Sequence, residues 1–168
     1  MNLRDEILAE HSKAQTAKIV DWIGNDPVRF GELMRLFLGD EYRVTQRGSW
    51  PLSNAVERHP ELIKPYFGKL LKQLERDDVH VAVKRNVVRL LQFVEIPKRY
   101  EGRIFDACYS LIADPAETVA VRCFSMTVAA NIATERPELM DELRLVATEH
   151  PQALTAGIRA RMRRVFGV

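Results

Sequence analysis

The sequence predicts an all-α fold, a solenoid in which helical hairpins repeat along the chain. Three similar segments, "VTQRGSWPLSNAV", "VKRNVVRLLQFVE" and "VRCFSMTVAANIA", start at Val44, Val83 and Val121, at intervals of 39 and 38 residues. "NAVERHPEL" is also similar to "NIATERPEL", and "FGELMRLFLGD" to "FGKLLKQLERD". A period near 40 residues built from two helical halves is typical of a helical solenoid.

Apolar residues within the second repeat follow helical spacing. Val83, Val87, Leu90, Leu91 and Val94 occupy positions i, i+4, i+7, i+8 and i+11, which share one face of an α-helix. No alternation of polar and apolar residues is long enough to predict a strand. Each repeat is therefore expected to hold an A helix followed by a B helix.

In chain order, we expect a leading helix over residues 3–23 and then four hairpins. The two "FG" segments define the first two A helices, and the three aligned segments define the first three B helices. The A helices are expected at 27–39, 61–76, 100–113 and 138–149, and the B helices at 42–58, 80–95, 117–134 and 155–166. Their starts and junctions coincide with prolines, whose missing N–H costs least there: Pro27, Pro60, Pro115, Pro137 and Pro151. The last B helix is expected to cap the stack with a polar outer face.

The first B helix has an unusual interior, "QRGSWPLSNAVERHPEL" at residues 46–62. In the alignment of the repeats, Gly48 and Pro51 fall at inward positions. Gly48 is expected to permit the close approach of a neighbouring helix. Pro51 removes one intrahelical hydrogen bond and is expected to kink the helix. We favour a kinked helix over a loop for this stretch.

Length and composition set the class of protein. A chain of 168 residues with 46% hydrophobic residues is expected to form a single domain over residues 1–168. The net charge of +2 gives no overall signal for nucleic acid or membranes. Cys108 and Cys123 lack the spacing of a disulfide framework or metal site, which favours a reducing compartment. With no signal peptide and no long apolar run, we expect a cytoplasmic protein that does not enter membranes.

The third repeat, "DPAETVAVRCFSMTVAANIA", resembles a HEAT repeat: an Asp-Pro turn is followed by Val-Arg at the start of an inner helix. "DDVHVAVKRNVVRLL" is a looser copy, and the resemblance covers residues 27–168. It implies a right-handed α-α superhelix whose B helices line the concave surface. The chain also resembles short bacterial HEAT-like proteins, some of which carry the label adenylosuccinate lyase. The Ser-containing, Gly-rich catalytic loop of that enzyme has no counterpart in this sequence.

Charge is segregated between the two helix series. The B segments at 42–59, 80–96, 118–136 and 156–168 contain twelve Lys and Arg residues but only three acids. Combined with the resemblance, this bias predicts a basic concave face and an anionic partner. The alternative is that these residues only form solvated helix faces and pair with neighbouring acids.

A column of aromatic, amide and guanidinium side chains runs beside the inward face. Its three triplets, each spaced i, i+3, i+7, are Arg47, Trp50 and Asn54, then Asn86, Arg89 and Phe93, then Phe124, Thr127 and Asn131. Trp and Arg are enriched at interface hot spots, and Arg89 beside Trp50 would make a cation–π contact. The other interpretation is that the aromatic residues of this column pack between adjacent repeats.

The remaining polar residues give no catalytic pattern. His59 and His150 each precede a proline at a helix end, where a capping role is expected, and the four histidines show no ligand spacing. Cys108 and Cys123 fall in helices and are expected to be buried, inert thiols. No nucleophile with a base, pair of carboxylates or phosphate-binding Gly loop is recognisable.

The sequence therefore favours a non-enzymatic binding module, without cofactor or metal, that engages an acidic protein or peptide through its basic B-helix face. The expected partner-binding residues are Arg47, Trp50, Lys84, Arg85, Arg89, Arg122 and Arg159. The alternative is nucleic-acid binding on the same face, with a HEAT-like DNA glycosylase as its enzymatic form. A glycosylase needs a carboxylate among the aromatic residues, whereas Glu57, Glu95 and Glu135 all lie toward the ends of the B helices.

Overall fold

A computed structural model describes residues 1–79 and 81–167. Within these residues the chain forms ten α-helices and two 3₁₀ segments, with no strand, which confirms the all-α prediction. The chain divides into two compact units, Met1–Tyr66 and Phe67–Val168, and each is described on its own. The single domain expected over residues 1–168 stays a prediction.

The first unit is built around one long helix. Its elements are α1 (Leu3–Ala9), α2 (Lys13–Ile23), α3 (Pro27–Phe37), α4 (Tyr42–Arg58) and a 3₁₀ segment (Pro60–Tyr66). Helix α4 packs against each of the other four elements. Its buried side chains, with those of α1 to α3, form an apolar core around Phe30, Leu33 and Phe37.

The prediction of one leading helix over residues 3–23 is wrong, because α1 ends at Ala9 and α2 starts at Lys13. Glu10 is extended, with φ −151°, and Ser12 caps α2 by accepting a hydrogen bond from the Gln15 N–H at 3.1 Å. This serine supplies an acceptor for an N–H that has no partner within the helix, which favours a new helix start here. The Gln15 side chain then ties the two helices together by donating to the Glu6 carbonyl at 2.7 Å.

The unusual stretch is helical and not a loop as far as Arg58, as predicted, since α4 runs without interruption from Tyr42 to Arg58 through Pro51. The kink at Pro51 stays a prediction. A Cβ at Gly48 would lie 3.6 Å from Ile7 Cδ1 and 3.8 Å from Leu33 Cδ1. Both distances are ordinary van der Waals contacts, so α1 and α3 leave room for a Cβ here, and the expected approach that only glycine would permit is not seen. The Ser53 hydroxyl donates to the Ser49 carbonyl at 3.0 Å and so satisfies one polar group within the buried part of the helix.

The A helix predicted at 61–76 is only partly correct. Residues Pro60–Tyr66 form the 3₁₀ segment, and α5 begins at Phe67. Pro65 has no N–H to donate to a preceding carbonyl, which explains why regular α-helix starts only after it.

The second unit is a stack of helical hairpins. It contains α5 (Phe67–Glu75), α6 (Val81–Leu91), α7 (Lys98–Ala113), α8 (Val119–Ala133), α9 (Pro137–Thr148), a 3₁₀ segment (Pro151–Ala153) and α10 (Ala156–Phe166). The A helices α5, α7 and α9 pack in one row and the B helices α6, α8 and α10 in the other. This is the arrangement of an α-α solenoid, as predicted. The expected start of α6 at residue 80 lies outside the described residues.

Helix α8 is the centre of this second unit. It packs against α6, α7, α9 and α10, and ten of its residues are buried. Its sequence is apolar on nearly every side, as a helix enclosed by neighbours requires. No helix in the described part of the chain has the length and apolar character needed to cross a membrane.

Candidate binding groove

A groove of about 670 Å³ lies along the B helices of the second unit. Its lining combines three arginines, Arg89, Arg161 and Arg164, with the aromatic rings of Phe93 and Phe124. Polar side chains that also line it are Gln92, Thr127, Asn131 and Thr134, and the other apolar ones are Ala130, Met140 and Val165. We call this feature the B groove.

The repeat register places these side chains together. Helices α6 and α8 pack side by side, and the Asn131 side-chain amide donates to the Gln92 carbonyl at 3.3 Å, which joins α8 to the end of α6. Of the predicted columns in this unit, Arg89, Phe93, Phe124, Thr127 and Asn131 all line the B groove. Asn86 does not, since it is only 3% exposed.

The charge of the B groove has one sign. No Asp or Glu is among the described residues that line it. Arg89 and Arg164 both belong to the basic B series. Neither makes a side-chain hydrogen bond or ion pair within the described ranges. Unpaired guanidinium groups on the walls of a concave surface concentrate a positive potential inside it.

Arg161 is held in place by its neighbours. Its Nη1 donates to Thr127 Oγ1 at 2.6 Å and to Gln92 Oε1 at 3.1 Å, and its guanidinium carbon lies 5.8 Å from the centre of the Phe124 ring. Arg161 and Arg164 belong to the basic B series but are not among the seven residues expected to bind a partner. The four arginines of "IRARMRR" are the sequence signal that could have identified them.

The placement of Arg122 on a binding surface has to be corrected. This side chain is 2% exposed, and its guanidinium donates from Nε to the Ile112 carbonyl at 3.1 Å and from Nη1 to the Ala153 carbonyl at 3.2 Å. It therefore satisfies a carbonyl at the end of α7 and another in the 3₁₀ segment before α10. Arg122 joins elements of the fold and is not available to a partner.

Lys84 lies in a different groove from Arg89. That second groove, of about 450 Å³, is lined by the acids Glu75, Asp77, Asp106, Asp114 and Glu117 together with Lys84 and Arg103. Arg103 is already paired with Glu75, with Nη2 to Oε2 at 2.7 Å. Lys84 and Arg89, which were both expected to bind the partner, therefore face different surroundings.

The other expected binding residues also lie outside the B groove lining. Arg85 is half-buried on α6, and Arg159 is exposed but donates from Nε to the Leu154 carbonyl at 2.9 Å. In the first unit, Arg47 donates to the Leu8 carbonyl at 2.7 Å and so caps the end of α1. Trp50 is half-buried, and its ring meets the His11 ring edge-on at 5.6 Å between centres.

Both cysteines are buried, as expected. Burial raises the pKa of the Cys108 thiol from its ordinary value of 9.0 to about 12, while the Ser125 hydroxyl acts weakly in the opposite direction. Burial also raises the pKa of Cys123, and nearby Arg161 and Arg122 oppose that shift. Within residues 1–79 and 81–167, there is no cluster of three or more His, Cys, Asp or Glu side chains that could hold a metal ion.

Comparison with protein families gives a match to the HEAT repeat domain over residues 3–167. Comparison with curated proteins and with solved structures gave no match. Repeats of this type are generally protein-interaction modules and are typically not enzymes.

Proposed function

Because the chain belongs to the HEAT repeat family, we propose that it is a non-enzymatic module that binds an acidic segment of another protein in the B groove. One observation supports this proposal above the others: three guanidinium groups line the groove and no carboxylate among its described lining residues neutralises them. An acidic segment provides the missing negative charge. Arginine is one of the residue types enriched among the residues that dominate binding at interfaces.

The apolar part of the groove favours a peptide as the ligand. Phe93 is 51% exposed, and with Phe124, Met140 and Val165 it offers the groove an apolar surface. A peptide whose acidic residues alternate with large apolar ones satisfies both kinds of surface. The polar groups of Asn131 and Thr134 add donors and acceptors for a peptide backbone.

Nucleic acid is the second candidate, because guanidinium groups and exposed aromatic rings also bind phosphates and unstacked bases. A strand of nucleic acid is held mainly by a track of phosphate contacts. The B groove supplies three cations close to an apolar wall, which fits a short acidic and apolar peptide better.

The test is fluorescence anisotropy with two labelled probes, a short peptide in which Glu and Phe alternate and a single-stranded oligonucleotide. We expect the peptide to bind, and its affinity to fall as salt is added, because exposed charges are screened. Arg89→Glu and Arg164→Glu should each weaken peptide binding at least about tenfold, since each places a negative charge where the peptide is negative.

Arg163→Glu is the matched control for Arg164→Glu. The two arginines are neighbours in the last turn of α10, so both substitutions change the helix-end charge equally, but Arg163 does not line the B groove. Equal losses for the two variants would show that net charge, and not the groove, governs binding. Binding of the oligonucleotide without binding of the peptide would replace the proposed partner class with nucleic acid.

A further inference from the structure

Arg161 differs from the other two arginines of the B groove because its orientation is fixed. Its Nη1 is held by both Thr127 Oγ1 and Gln92 Oε1, and its planar group lies near the ring of Phe124. Gln92 is itself held, since its Nε2 donates to the Arg89 carbonyl at 3.1 Å. The positions of these oxygens therefore leave the guanidinium little rotational freedom.

The opposite edge of the same guanidinium is open. Arginine has five N–H donors, and the two on Nη1 are directed at the two oxygens described above. Neither Nε nor Nη2 of Arg161 donates to any residue within the described ranges. The Nε–Nη2 edge presents two parallel N–H groups, which is the geometry that binds a carboxylate through two hydrogen bonds at once.

We infer that Arg161 is the specificity-determining residue of the B groove, and that it binds the carboxylate of a Glu or Asp side chain that stands next to a large apolar residue of the partner. This inference rests on the proposed function. The apolar neighbour packs against Phe93, the exposed ring of the same groove. Thr127 and Gln92 act as positioning residues, because they orient the guanidinium without contacting the partner's carboxylate.

Pre-organisation gives this arginine more weight than its charge alone. A free arginine side chain loses conformational freedom when it binds, whereas Arg161 is already ordered by its contacts inside the protein. Arg89 and Arg164 have no such contacts among the described residues and contribute chiefly through their charge. Replacing Arg by Lys should therefore affect the three positions unequally, although the charge is the same in every case.

The experiment measures how each variant distinguishes the Glu–Phe peptide from a peptide in which every Glu is replaced by Gln. Arg161→Lys should bind the Glu–Phe peptide about tenfold more weakly, because the paired hydrogen bonds are lost, and it should lose most of its preference over the Gln peptide. Arg164→Lys should lose only about twofold. Thr127→Val, which keeps all three charges, should lose about threefold and lower the same preference.

The outcomes separate this inference from the proposed function. If the wild-type protein binds no acidic peptide, the proposed function itself fails. If the wild type binds and Arg164→Glu abolishes binding, but Arg161→Lys and Arg164→Lys lose affinity equally, the proposed function stands and the role of Arg161 is wrong. An unchanged preference for Glu over Gln in a folded Thr127→Val variant, with its thermal midpoint preserved, would overturn the positioning role.

Discussion

Replacing Arg122 tests whether a cation in the middle of the second unit stabilises the fold or serves a partner. The side chain is 2% exposed, and its two bonds join the end of α7 to the 3₁₀ segment that precedes α10. Arg122→Ala removes both bonds, leaves the Ile112 and Ala153 carbonyls without this donor and creates a cavity. We expect the free energy of unfolding to fall by about 3 kcal/mol.

That magnitude is the balance of two effects. A hydrogen bond from a charged donor contributes roughly 1.5–3 kcal/mol, so the two bonds together set an upper value near 6 kcal/mol. Burying a guanidinium costs several kcal/mol, and Nη2 of Arg122 has no partner among the described residues. Removing the cation also removes this cost, which offsets about half of the stability lost with the two hydrogen bonds. Arg122→Lys keeps the charge but not the forked geometry, and we expect it to lose about 1–2 kcal/mol.

Urea unfolding followed by circular dichroism measures these differences, and the exposed Arg163→Ala serves as control, with an expected change within about 0.5 kcal/mol. Peptide binding by folded Arg122→Lys should stay unchanged. A loss of binding by Arg122→Lys without a loss of stability would refute the structural role of Arg122, and so would an Arg122→Ala variant as stable as the control.

Three further predictions concern other parts of the chain. Cys108 should not react with a thiol reagent in the native protein near pH 8, and rapid labelling of the native protein would contradict this. The contribution of Cys108 to stability should decline as pH rises from 9 toward 12, because the thiol ionises at lower pH in the unfolded chain than in the folded one. Gly48→Ala should stabilise the protein by about 0.5–1 kcal/mol in thermal unfolding, since a Cβ there meets Ile7 and Leu33 at ordinary contact distance, whereas a clear loss would show that the approach is tighter. Deleting residues 155–168 should expose the face of α8 that α10 covers and cause aggregation, as light scattering would detect; a soluble, cooperatively unfolding product would argue against it.

The sequence alone was sufficient for the architecture, because helical periodicity is a local property. The repeat alignment, together with the helical spacing of the second repeat, placed the first B helix at residues 42–58, where α4 lies, even through Gly48 and Pro51. Burying an apolar face every three or four residues outweighs the cost of one proline and one glycine in a helix. The break at residues 10–12 contains no glycine or proline to mark it in the sequence; only extended Glu10 and the Ser12 cap separate α1 from α2.

The candidate site was only partly predictable. The repeat alignment grouped Arg89, Phe93 and Phe124, which the structure brings into one groove. It also gave Lys84 and Arg122 the same position, although Lys84 lines an acidic groove and Arg122 is buried.

The tertiary structure decides the different surroundings of Lys84 and Arg122. A residue in the first turn of a B helix faces groups supplied by distant parts of the chain, as the Ala153 carbonyl is for Arg122. Helical periodicity predicts the face of the helix from which a Lys or Arg side chain projects. The final position of the charged group depends on which carbonyls and carboxylates the packing of neighbouring elements brings within hydrogen-bonding distance. The local sequence pattern does not contain this information.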